Sequence, residues 1–182
     1  MERSVVIAGF GGQGVILAGK ILAQAAMDSG LAVTWLPSYG PEMRGGTANC
    51  TVVMAQESVG SPIVDEPTAL IAMNLPSLDK FERTVASGGA IIVNSSLIDR
   101  DIEREDLAVT KLPLNDLGAS VGNMRAINMI ALGGYLKATG AVTLEVVKDA
   151  MAHMLEKGGK SKFIQLNVKA LDAGYNAAQF RP

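Results

Sequence analysis

Gly9, Gly11 and Gly14 stand at the spacing G-x-G-x-x-G, and Gly12 leaves the loop barer still. The chemistry such a turn offers is anion binding. Glycines let the backbone come close to a phosphate, and the N–H groups of a following helix point at it. The context is the right one. Ser4-Val5-Val6-Ile7-Ala8 reads as a buried strand, and Val15 to Met27 is apolar-rich and contains only Gly19 as a helix-weakening residue. A dinucleotide site would also need Asp or Glu about 20 residues on, to hold a ribose. That stretch reads Ala32-Val33-Thr34-Trp35-Leu36-Pro37-Ser38 and holds no acid, while Asp28 comes too early. The turn suits a phosphate but not NAD or FAD.

A second candidate is the loop Ser38-Tyr39-Gly40-Pro41-Glu42-Met43-Arg44-Gly45-Gly46. If it leaves the carboxyl end of a parallel strand, it lies beside the glycine turn, at the edge where α/β sheets bind ligands. Arg44 offers the paired donors that suit carboxylate or phosphate, and Ser38 and Tyr39 add hydroxyls. Asn123, after Gly122, is a natural helix N-cap. Asn128 falls in an apolar helical run, where a buried amide needs partners. The candidate binding residues are therefore Gly9, Gly11, Gly12, Gln13, Gly14, Ser38, Tyr39, Gly40, Arg44 and Asn123. No catalytic residue and no metal ligand is assigned.

The usual catalytic side chains are scarce. One cysteine, Cys50, excludes an intrachain disulfide and an iron–sulfur cluster held by this chain alone. One histidine, His153, argues against a zinc site or a Ser-His-Asp triad. Gly158-Gly159-Lys160-Ser161 resembles the end of a phosphate loop, but Met154 stands where the first glycine belongs and a helix precedes it, so it reads as a solvated loop. Asn49-Cys50-Thr51 matches a glycosylation sequon, which has no meaning without secretion.

The elements that must position these residues follow from periodicity. Strands are expected over 4–8, 31–36, 47–54, 69–73, 90–93 and 107–112. Helices are expected over 14–29, with Ile16, Leu17, Ile21, Leu22 and Ala25 on one face, from Pro76, from about 115 through 136, over 143–156 and over 162–179. Asp99 to Asp106 reads as a charged surface connection. The fold class is α/β, a three-layer α/β/α domain over 1–182 with a mostly parallel or mixed sheet, a Rossmann-like first β-α-β unit and a helical C-terminal part. With 182 residues, 48% apolar, 19% charged and a net charge of −2, the chain has a real core and no electrostatic case for nucleic acid or an anionic membrane. Met1-Glu2-Arg3 runs straight into a strand pattern and no apolar run reaches a membrane span, so a cytoplasmic chain is expected.

Two segments together carry a family resemblance: Ala8-Gly9-Phe10-Gly11-Gly12-Gln13-Gly14-Val15 and Pro37-Ser38-Tyr39-Gly40-Pro41-Glu42-Met43-Arg44-Gly45-Gly46. With Met73-Asn74 and with Gly122-Asn123 leading into Asn128, the chain over about 4–175 resembles the gamma subunit of 2-oxoacid:ferredoxin oxidoreductases. The resemblance implies a complex that oxidatively decarboxylates a 2-oxoacid, forms an acyl-CoA and reduces ferredoxin. It implies alpha and beta partners holding thiamine diphosphate and a ferredoxin-like delta subunit holding iron–sulfur clusters. It also implies a gamma chain that is inactive alone, holds no cofactor by itself, and has a role in handling coenzyme A. The wording around Leu36 to Glu42 and Asn74 to Phe81 is most similar to 2-oxoglutarate enzymes, with branched-chain and pyruvate enzymes open. The alternatives are a stand-alone nucleotide- or CoA-binding module and a purely structural subunit.

Overall fold

A computed structural model describes residues 2–39 and 47–179. The chain runs β1 (Glu2–Phe10), α1 (Val15–Asp28), β2 (Ala32–Tyr39), β3 (Thr47–Ala55), β4 (Ala69–Ala72), α2 (Leu75–Phe81), β5 (Ala90–Asn94), β6 (Ala108–Leu112), α3 (Leu114–Val121), α4 (Ile127–Thr139), α5 (Leu144–Lys157) and α6 (Ile164–Ala177). Six strands form one mixed sheet in the order β2-β3-β1-β4-β5-β6. β1, β4, β5 and β6 are parallel, and β3 is antiparallel to both of its neighbours.

The first β-α-β unit departs from a Rossmann arrangement. β2 runs parallel to β1, but β3 lies between them. Antiparallel pairing needs no crossover helix, so the segment after β2 can return at once along it. β3 is also the more apolar of the two. Cys50, Val52 and Val53 are fully buried, whereas β2 carries a half-exposed Leu36. The central place goes to the strand that loses more by meeting water. β2 becomes an edge and runs three residues past its expected end. Pro37, which cannot donate to a sheet ladder, is tolerated because the strand has a partner on one side only.

The two sheet faces are unequally covered. α1, α4, α5 and α6 pack over one face, around Ile7, Ile71, Ile92, Leu132 and Tyr135. The other face is covered by α2 and by connecting segments that bury Leu78, Val85, Ile98 and Leu107. The charged stretch 99–106 is pinned there. Arg100 contacts Asp79 at 2.8 Å and the buried Glu82 at 2.6 Å, Lys111 contacts Asp101 at 2.5 Å, and Arg104 pairs with Asp106.

The expected apolar face of α1 is only partly correct. Ile21, Leu22 and Ala25 are buried, but Leu17 is 43% exposed. The contact is set by small residues instead. A Cβ on Gly19 would lie 2.3 Å from Cys50 Sγ, so α1 settles closer to β3 than a leucine seam would allow. The same device joins α4 to α6. A Cβ on Gly133 would lie 2.1 Å from the Leu171 carbonyl oxygen, and one on Gly174 would lie 1.8 Å from that of Ile130. The helical run expected from 115 to 136 is broken after Val121 and restarts at Ile127.

Two outcomes follow. Gly174→Ala forces backbone against backbone, so it should lower stability by about 3 kcal/mol or prevent folding, read as a lower denaturant midpoint. Cys50 is buried, and desolvation pushes its thiol up to about 12. The native protein should therefore resist thiol alkylation at pH 8 and label fully once unfolded in denaturant; labelling of the native state at the unfolded rate would contradict this packing.

Candidate functional site

The glycine turn closes on itself through Gln13. Its backbone N–H donates to the Phe10 carbonyl at 3.1 Å, and its side-chain Oε1 accepts from the Phe10 N–H at 2.6 Å. The side chain then reaches across the sheet. Asn74 Nδ2 donates to the same Oε1 at 3.1 Å, and Gln13 Nε2 donates to the Met73 carbonyl at 3.5 Å. Met73 and Asn74 follow β4 directly, so the turn after β1 is tied to the carboxyl end of its parallel neighbour.

The ties continue outward. Asn74 Oδ1 accepts from Ser77 N–H at 2.9 Å and caps α2. Asn94, the last residue of β5, donates Nδ2 to the Met73 carbonyl and to Asn115 Oδ1, both at 3.1 Å. Its Oδ1 accepts from Leu114 N–H at 3.2 Å and fixes the start of α3. Asn74 and Asn94 are buried, and a buried amide left unpaired would cost about 1–3 kcal/mol. Sequence reasoning gave Asn94 no role, although an Asn closing an otherwise apolar strand, as at Asn74 and Asn94, is a signal that it has partners to find.

Each glycine does something different. Gly9 is buried, and a Cβ there would meet Gln13 Oε1 at 2.6 Å and Met73 Cβ at 2.9 Å. It leaves room for the tie. Gly11 and Gly12 are exposed. Gly14 sits at φ 76, in the left-handed region, and begins α1. Its carbonyl accepts from Ala18 N–H and from Asn128 Nδ2, both at 3.0 Å. A side chain at Gly14 would collide with that Asn128 amide. α1 has no side-chain cap and no acid in its first turn. Its leading N–H groups have no partner within the helix, the arrangement by which a helix start can receive an anion.

The strand register puts the second candidate loop at the same edge. Tyr39 pairs with Ala48, Ala48 with Gly9, and Thr47 with Phe10. Both ends of the connection 40–46 therefore leave the sheet beside the glycine turn. Ser38 is exposed near the end of β2. Gly40 and Arg44 lie outside the described residues, as does the side chain of Tyr39.

Asn123 accepts from Arg125 N–H at 2.9 Å and caps the turn Met124–Ala126 that leads into α4. With Gly14 and Asn128 it lines a cleft of about 400 Å³ whose far wall is the α5–α6 connection. Lys160, read from sequence as part of a solvated loop, lines this cleft too. His153 is exposed on α5. No cluster of three or more His, Cys, Asp or Glu side chains suited to a metal occurs among the described residues.

Gln13→Ala should free the turn, with a stability loss of about 1–3 kcal/mol and faster amide hydrogen exchange at Phe10. Gln13→Glu keeps the acceptor for Phe10 and Asn74 and should retain most of the stability. Equal losses in the two variants would show that the acceptor oxygen is not what holds the turn.

The comparisons with known proteins agree with this geometry. Residues 4–177 match the family model "Pyruvate ferredoxin/flavodoxin oxidoreductase". Ketoisovalerate oxidoreductase subunit VorA of Methanothermobacter marburgensis is 42% identical over 98% of this chain, which spans 37% of that relative's length. 2-Oxoglutarate synthase subunit KorC of the same organism is 33% identical over 96% of this chain and 95% of its own. The gamma subunit of a keto/oxoacid ferredoxin oxidoreductase from Geobacter sulfurreducens superposes with a TM-score of 0.82 at 29% identity, covering 96% of this chain and 97% of that one. A 2-oxoglutarate:ferredoxin oxidoreductase from Magnetococcus marinus shares the fold, with a TM-score of 0.85 at 22% identity over 97% of this chain and 31% of that one. The mixed sheet is thus that of a known group, and the chain belongs to the pyruvate ferredoxin/flavodoxin oxidoreductase family.

Proposed function

We propose that this chain is the gamma subunit of a cytoplasmic 2-oxoacid:ferredoxin oxidoreductase, a complex that oxidatively decarboxylates a 2-oxoacid to an acyl-CoA and reduces ferredoxin. In this reading alpha and beta subunits hold thiamine diphosphate, and a ferredoxin-like delta subunit holds the iron–sulfur clusters. Among the described residues no helix is long and apolar enough to cross a membrane. The observation that carries the reading is the uncapped start of α1 behind a rigid turn with exposed Gly11 and Gly12. It offers backbone donors to an anion.

Coenzyme A fits that helix start by its phosphates. In this reading the glycine turn or Arg44 receives the phosphates, and Ser38, Tyr39 and Gly40 belong to the same proposed site. The Magnetococcus protein was solved with 2-oxoglutarate, coenzyme A and succinyl-CoA bound. The chain's own part is to orient the thiol carrier at the shared cavity, while thiamine diphosphate on the partners supplies the decarboxylation chemistry. The substrate in this reading is 2-oxoglutarate, from the sequence likeness. A second reading, a branched-chain 2-oxoacid, is favoured by 42% identity to the ketoisovalerate chain against 33% to the 2-oxoglutarate chain.

The test is the reconstituted complex. The isolated chain should oxidise no 2-oxoacid. In the complex, Gly11→Val should raise KM for coenzyme A about tenfold, with little change in KM for the 2-oxoacid. An assembled complex with unchanged KM for coenzyme A would make the chain a structural subunit. Tight nucleotide binding without enzymatic partners in a pull-down would make it a stand-alone module. Comparing 2-oxoglutarate, 2-ketoisovalerate and pyruvate as substrates assigns the acid.

A further inference from the structure

The cleft behind Gly14 is a different surface from the exposed glycines. It runs along α1 away from the sheet edge, past Leu17 and Ile21, and ends at the α5–α6 connection. Three helices of thirteen or fourteen residues present their first turns to it: α1 through Leu17, α4 through Asn128, and α6 through Asn167. The N-terminal turns of three helices therefore border one cleft, with the C-terminal turn of α5 beside them.

The side chains add positive charge. Arg125 and Lys160 both line the cleft, and neither has an ion-pair partner among the described residues. No Asp or Glu is among the described lining residues. Asn128 is only 4% exposed. Its Nδ2 is used by Gly14, but its Oδ1 accepts no hydrogen bond among the described residues. Asn128 lines the cleft, so its free acceptor oxygen can take a hydrogen bond from a ligand there. The rest of the wall is apolar, with Leu17 43% and Phe163 40% exposed, and Lys162 stands over the Phe163 ring at 5.2 Å. A cleft of about 400 Å³ with an apolar floor and a few converging polar groups has the form of a small-molecule site.

We infer that this cleft binds a phosphorylated organic anion of nucleotide size. Its phosphate lies between Arg125 and Lys160, its ring lies against Phe163 and Leu17, and a hydroxyl or amino donor meets Asn128 Oδ1. Adenosine alone lacks the charge that the two cations select, and inorganic phosphate lacks the ring. The inference needs no partner subunit, so it stands or falls apart from the coenzyme A reading of the turn.

Calorimetry on the full chain with ADP, adenosine and inorganic phosphate tests it. ADP should bind at least about tenfold more tightly than either fragment and weaken as salt is raised. Arg125→Glu combined with Lys160→Glu should abolish ADP binding at an unchanged melting temperature, since both side chains are exposed. Gly11→Val should leave it intact. Coenzyme A displacing ADP would identify the nucleotide end of that carrier as the ligand, and lack of displacement would identify a free nucleotide. Wild-type ADP binding by the double variant, equal affinity for adenosine, or no ADP binding at all would overturn the site, whatever Gly11→Val does to catalysis in the complex.

Discussion

One side-chain oxygen organises the carboxyl edge of this sheet. Gln13 Oε1 accepts from the Phe10 N–H at 2.6 Å and from Asn74 Nδ2 at 3.1 Å. The first bond closes the glycine turn; the second ties it to the strand alongside. A loop of glycines has high conformational entropy in the unfolded chain and little side-chain packing to hold it when folded. Without that acceptor the turn is closed from inside only by the backbone bond from Gln13 N–H to the Phe10 carbonyl, among the described contacts. From Asn74 the ties pass to α2, and through the Met73 carbonyl to Asn94, Asn115 and the start of α3. Amides, not apolar packing, fix the base of the turn.

The second constraint is close approach. Gly19 against Cys50, Gly133 against Leu171 and Gly174 against Ile130 each leave no space for a methyl group. Burial at such short distances gains dispersion contacts and lets four helices share one sheet face. The arrangement also decides what is left at the surface. With α1 seated on Gly19, Leu17 is turned outward, and the first turns of α4 and α6 are drawn in beside it. The cleft is a by-product of helix packing in its shape, but its charge is not. Packing alone gives no reason for Arg125 and Lys160 to line it together without an acid.

Much of the frame was legible in the residues. The strand, glycine turn and helix from Ser4 to Met27 follow from β-branched runs and glycine spacing. Asn123 is a cap, as its residue type and its place after Gly122 imply. Three things were not legible. Pro37 hid the end of β2, because whether proline ends a strand depends on whether that strand has one neighbour or two. Leu17 was placed in the core because periodicity marks an apolar face without saying which apolar residue meets a neighbour. Lys160 is exposed, as a solvated loop residue should be, but that it shares a cleft with Arg125 and Asn128 is not visible locally, because both lie more than thirty residues away in the chain.

Local sequence was enough for the alternation of strands and helices and for the glycine turn, since each is a property of residues within a few positions of one another. The tertiary structure alone decided that β3 lies between β1 and β2, that Gln13 finds Asn74, and that three helix ends converge behind Gly14. Those outcomes depend on which surfaces lose most by remaining in water and on which buried amides can satisfy one another across the sheet. Both are settled only when distant segments meet.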